Sequence, residues 1–168
     1  MRHGAKVMAG LVLGLLLSSG PAVGQSKSAA AFDRLKSLAG EWTGTFEGIT
    51  GGRMTVQVVS NGSAVLETMY GAGQADGMIT VYHLDGDTLL ATHYCAVGNQ
   101  PRMRARPSPD KPNEISFAME SISNQSPGQE AMDALVVRFQ DAAHFTQEWT
   151  STDKGKRSTM VFHWIRKK

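Results

Sequence analysis

The chain reads as an all-β protein: about ten antiparallel strands in an up-and-down β-barrel, preceded by one short helix. Two observations carry that reading. Short runs of alternating apolar and polar residues fill almost everything after residue 40. Nearly all are separated by brief turns containing Gly, Asn or Asp, which implies consecutive hairpins. Ten strands in one open sheet would leave two exposed edges, and closure into a barrel removes them. A β-sandwich would need longer crossovers than most connections seen here.

Residues 2–24 have the form of a secretory signal. Arg2, His3 and Lys6 form a positive start, and Val7 to Leu17 form an apolar stretch too short to span a bilayer. Ala22-Val23-Gly24 offers small residues for cleavage after Gly24. The organisation expected is a signal peptide over 1–24, a linker over 25–31 and a barrel domain over 32–168. The expected location is periplasmic or secreted, with no stable membrane insertion after cleavage.

Phe32, Leu35 and Leu38 recur at helical spacing and Gly40 stops the pattern, which predicts a helix over 29–39. Strands are expected over 41–49 and 53–60, joined by Thr50-Gly51-Gly52. Asn61-Gly62 predicts a two-residue hairpin into 63–70. Asp85-Gly86 joins 77–84 to 87–96 in the same way. Val97 to Pro101 turns the chain into 102–106, and three prolines make 107–113 a loop. Strand 114–121 and a polar loop over 122–131 follow. Strands 133–140, 143–151 and 157–166 finish the chain, with turns at Asp141-Ala142 and Lys154-Gly155.

The chain carries 17 basic and 15 acidic residues. The leader holds Arg2 and Lys6 and no acid, so the remainder is balanced and leaves no nucleic-acid footprint. Cys95 is the one cysteine, so no internal disulfide is expected. Gly51-Gly52 lacks the Lys-Ser pattern of a phosphate loop, and there is no Gly-x-Ser-x-Gly nucleophile elbow.

The short helix followed by Gly40-Glu41-Trp42 resembles the Gly-x-Trp motif of the lipocalin and fatty-acid-binding-protein (calycin) superfamily. The resemblance implies a basic residue on the last strand packed across the tryptophan, and Arg166 in Trp164-Ile165-Arg166 holds that place. Val81 to Asp87, Thr92 to Cys95 and Gly98 to Met103 resemble a family of small secreted bacterial proteins with a lipocalin-like domain. That resemblance covers residues 32–166 and implies a fold without an established activity. A third resemblance is to nitrobindin, a ten-stranded haem barrel with its haem-ligating histidine near the C-terminus. His163 in Phe162-His163-Trp164-Ile165 stands in a similar place, although the glycine-rich first strand of nitrobindins is not clearly matched.

Several residues are candidates for chemistry. His93 and Cys95 are two apart on one strand and share a face. If the Asp85–Asp87 loop has three residues, His83 joins them. His83, His93 and Cys95 lack the spacing of a zinc motif, so no metal is expected. Arg102, Arg104 and Arg106 alternate on one face, which reads first as a solvated outer face. Relatives of the fatty-acid-binding type hold carboxylates with a buried arginine, and Arg102 is the candidate for that role. Tyr82 and Tyr94 are candidates to line a cavity with strand methionines.

The first functional expectation is a non-enzymatic barrel binding a small apolar or amphipathic molecule, with His93, Arg102, Tyr82, Tyr94, His83 and Cys95 as candidate ligand residues. No cofactor is expected in that reading. One alternative is a haem-binding or enzymatic barrel using His93 or His163. Another is a structural or partner-binding barrel with a filled core. Oligomeric state carries no signal in the sequence.

Overall fold

A computed structural model of the chain describes residues 25–106, 108 and 110–168. The predicted leader lies outside the described residues. One helix, α1 (Lys27–Lys36), precedes ten strands: β1 (Gly40–Phe46), β2 (Ile49–Val59), β3 (Ala64–Tyr70), β4 (Met78–Asp85) and β5 (Thr88–Tyr94). Then come β6 (Gln100–Ala105), β7 (Glu114–Ser123), β8 (Ala131–Phe139), β9 (His144–Asp153) and β10 (Lys156–Arg166). Each strand pairs antiparallel with its sequence neighbours, and β1 pairs with β10 from Trp42↔Arg166 to Phe46↔Phe162. The barrel is therefore closed and has no free sheet edge.

The helix starts two residues earlier than predicted. Ser26 is its N-cap: the Ser26 hydroxyl accepts from the Ala29 N–H at 3.2 Å, drawing the expected linker into the first turn. Arg34 and Lys36 complement the dipole in the last turn. The helix ends at Lys36, before Gly40, because the carbonyls of 37–39 are used elsewhere.

Those carbonyls meet Arg166, which closes this end of the barrel. Its guanidinium centre lies 4.2 Å over the Trp42 ring. Arg166 Nη1 donates to Ala39 O at 2.8 Å, Nη2 to Ser37 O at 3.0 Å and Nε to Ala142 O at 2.8 Å. Trp42 is buried and its Nε1 donates to Leu38 O at 2.9 Å. Phe145 meets the same ring edge-on at 4.6 Å. Gly40 has φ 138°, and a Cβ there would stand 2.7 Å from Arg166 Nη1, so the motif needs glycine. The expected Gly40–Trp42–Arg166 arrangement is present.

Three turns differ from the sequence reading. The first hairpin turns at Glu47-Gly48, with φ 47° and 79°, and β2 continues through Thr50-Gly51-Gly52 with an irregularity at Gly51, since Gly44 pairs with Gly52 and Thr45 with Thr50. Two consecutive positive φ values suit a tight hairpin whose twist matches its strands. The Asn61-Gly62 turn spans four residues, since Val59 pairs with Ala64 and Ser63 bonds back to Ser60 O through its N–H and hydroxyl. Asp85 pairs with Thr88, so the turn between β4 and β5 has two residues, Gly86 and Asp87.

The interior is packed at the helix end by Phe32, Leu35, Leu38, Trp42 and Phe145. Trp42→Ala is expected to cost about 3–5 kcal/mol, the range for an aromatic ring deleted from a packed core. Arg166→Lys keeps the charge but loses the fork to three carbonyls, and should cost about 1–3 kcal/mol. Urea unfolding of both variants checks this; a loss well under 1 kcal/mol for Trp42→Ala would contradict the packing.

Candidate functional site

The connections from odd to even strands lie at the end opposite α1. There the interior opens into a cavity of about 310 Å³. Its walls are apolar: Phe46, Ile49, Met69, Met78, Phe162 and Trp164 line it. Phe46 and Phe162 stack at 4.9 Å. Gly44 makes room for the inner wall, since a Cβ on it would stand 2.3 Å from the Trp164 ring.

Trp164 connects this cavity to a buried polar chain. Trp164 Nε1 donates to Gln147 Oε1 at 3.2 Å, and Gln147 Nε2 donates to Glu67 Oε2 at 2.8 Å. The Tyr82 hydroxyl donates to the same Glu67 oxygen at 3.1 Å. All four residues are at most 2% exposed. Two neutral donors soften the cost of burying the carboxyl but supply no counter-charge. Burial accordingly pushes Glu67 up to about 7, against the opposing pull of its two hydrogen bonds. Burial and the neighbouring Glu67 push the Tyr82 hydroxyl well up.

Register places the next polar residues beside Glu67. Glu67 on β3 pairs with Thr80 on β4, and Thr80 pairs with His93 on β5. His93 is buried, its Nδ1 lies 3.0 Å from Thr80 Oγ1, and its ring packs on Trp149 at 4.5 Å. Burial pulls its imidazole down to about 4, so it is neutral at neutral pH. His93 Nε2, Trp149 Nε1 and Asn99 Oδ1 are buried without a protein partner among the described residues.

Of the sequence-predicted residues, His93 and Tyr82 face the interior. Cys95 is half-buried just past the end of β5, where its N–H donates to Asn99 O at 3.1 Å. His83 is a correction. The two-residue turn pairs it with Leu90, so it shares neither the face of His93 nor that of Tyr82. A one-residue change in turn length reverses the face of a whole strand. Tyr94 is 49% exposed and faces outward, opposite to His93. Arg102 is exposed on the outer face, so the inward option for it fails. Arg104 beside it donates to Thr88 Oγ1 at 2.9 Å and pairs with Glu120, which is the solvated outer face of the first reading.

His163 is exposed and faces outward. His93 is inside but is not in the cavity wall. The cavity lining thus offers no histidine to ligate a haem.

Sequence reasoning missed Glu67 and Gln147. Each had a readable signal: Val65-Glu67-Met69 and Phe145-Gln147-Trp149 put one polar residue in the apolar phase of an alternating strand. No family model matches the chain, and no curated protein matches it.

The two shifted groups act on stability with opposite sign. From about pH 4.5 to 7 folded Glu67 keeps a proton that the unfolded chain has lost, so its contribution is lost as pH rises. From about pH 4 to 6.5 folded His93 lacks a proton that the unfolded chain holds, so its contribution is lost as pH falls. At about 1.4 kcal/mol per unit, each is worth on the order of 3 kcal/mol, and they cancel over most of the window. Relative to wild type, Glu67→Gln should become more stable from pH 4.5 to 7. His93→Phe, which keeps the ring stack, should lose the acid-side penalty. Urea unfolding across this range checks both, and parallel profiles for all three proteins would contradict the assignment.

Proposed function

We propose that this barrel binds a small apolar or amphipathic molecule through its open end, as an exported protein of lipocalin-like type. The observation that carries the reading is the apolar cavity of about 310 Å³, walled by aromatic and methionine side chains. That volume is at the lower end of the roughly 300–1,000 Å³ typical of small-molecule sites. Met69 and Met78 suit it, because flexible thioethers adapt to ligands of different outline. The helix-closed opposite end supports the same reading, since it leaves one mouth for entry. The Gly40-Glu41-Trp42 start and Arg166 support the lipocalin-like likeness, and the composition of residues 2–24 supports export.

Trp164 lines the cavity, so its fluorescence reports occupancy. Binding of an apolar dye should change the emission, and native mass spectrometry of protein from its own source should show any retained ligand. Ala72 lines the mouth from an exposed loop. Ala72→Trp should obstruct entry and weaken dye binding roughly five- to a hundredfold, in line with about 1–3 kcal/mol for overfilling a site. The unfolding midpoint should hardly move. Unchanged dye affinity in that variant, or no binding by the wild type, would favour a barrel that works without a cavity ligand.

A further inference from the structure

The interior holds a carboxyl and, among the described residues, no lysine or arginine; the imidazole of His93 is neutral at neutral pH. The arginines that pair with acids do so on the outer face: Arg104 with Glu120, Arg138 with Glu114 and Glu148, and Arg157 with Asp133. The other titratable groups beside Glu67, Tyr82 and His93, are both buried and neutral at neutral pH. A carboxylate ligand would therefore enter a water-excluding barrel without a counter-charge and next to an acid. This reverses the ligand charge expected from an inward Arg102.

We infer that the cavity's ligand is a small amine, its apolar body in the mouth and its ammonium group against Glu67. The inference rests on the ligand-binding reading above and adds the charge class. Both protein donors to Glu67 go to Oε2, which leaves Oε1 for an N–H of the ligand. The carboxyl is close behind the cavity wall. Met69 lines the cavity and stands two residues from Glu67 on the same inward face of β3, about 6.6 Å along the strand. Trp164 lines it too and reaches Glu67 through the single side chain of Gln147. Met69 has three rotatable bonds and swings aside at small cost. The walls hold the aromatic rings of Phe46, Phe162 and Trp164, which a cation can meet, while the Tyr70 ring at the mouth already carries the Arg53 guanidinium at 4.9 Å. An arriving ammonium would give the buried carboxylate the partner it lacks, and so draw its titration back toward the ordinary range.

The test compares three probes of equal length on the purified protein: octylamine, 1-octanol and octanoate, measured by calorimetry and Trp fluorescence. Octylamine should bind roughly ten- to a hundredfold tighter than 1-octanol, the worth of a hydrogen bond to a charged group, and octanoate weakest. Glu67→Gln keeps the shape of the site and should bring octylamine down to the affinity of 1-octanol. Its far-UV circular dichroism should match wild type, which reports an intact fold. Octylamine affinity should rise from pH 6 to pH 8 in wild type and stay level in Glu67→Gln. Octanoate binding as tightly as octylamine would overturn the inference, as would an amine preference that survives in Glu67→Gln. Binding of 1-octanol without an amine preference would overturn it while leaving the cavity reading intact. Failure of all three probes to bind would overturn both.

Discussion

The pairing of β1 with β10 is the constraint on which the rest of the structure depends, and Arg166 over Trp42 is the interaction that secures it. Every other strand pair joins sequence neighbours through a connection of at most eight residues. This pair joins the two ends of the domain. A guanidinium has five donors and no acceptor, so it suits a place where several chain segments present carbonyls. Arg166 gathers three, from the turn after α1 and from the turn between β8 and β9. The helix is held across the barrel end by the same group that holds the last strand beside the first. The tight approach around Gly40 and the early end of α1 are both consequences of that junction.

A closed end has a chemical consequence at the other one. With water kept from one mouth and the wall continuous, polar groups inside must satisfy each other. Trp164, Gln147, Glu67 and Tyr82 do so in a single chain of donors and acceptors. That chain costs stability compared with an apolar filling, because its one acid has no cation to face. A barrel built only to be stable would have little use for it. Its position directly behind an apolar cavity is what gives the interior a chemical character beyond packing.

The fold was legible in the sequence because strand alternation and turn residues are local signals. Ten strands and their order could be read from short windows, while the Trp42–Arg166 contact was expected from the Gly-x-Trp resemblance. The errors in turns and strand faces share one physical origin. Face assignment depends on turn length to the residue, and composition does not set that length: the Gly86-Asp87 turn placed His83 outside, while Glu47-Gly48 outcompeted a glycine-rich segment three residues later. Arg102 and His163 were drawn inward by resemblance rather than by pattern. Each sits in the polar phase of its own strand, beside buried Met103 and Trp164 respectively. Glu67 and Gln147 were passed over because a single polar residue in an apolar phase looks like noise until the partner across the barrel is known. Each is visible locally, but their contact joins positions 80 apart and is beyond the reach of a local reading.

The order of the strands also has a kinetic meaning. Nine of the ten pairings can form as the chain lengthens, each from residues already close in sequence. The tenth must wait for the last segment and close a loop of more than a hundred residues, at an entropy cost set by the whole domain. Until then β1 remains a bare edge with unsatisfied backbone groups, open to the wrong partner. Closure therefore carries the largest loop entropy of the ten pairings, and Trp164-Ile165-Arg166 at the end of β10 supply three of the five residue pairs that make it. Without those three residues only Thr45↔His163 and Phe46↔Phe162 would join the first strand to the last, which makes the end of β10 the weakest-anchored and most consequential stretch of the wall.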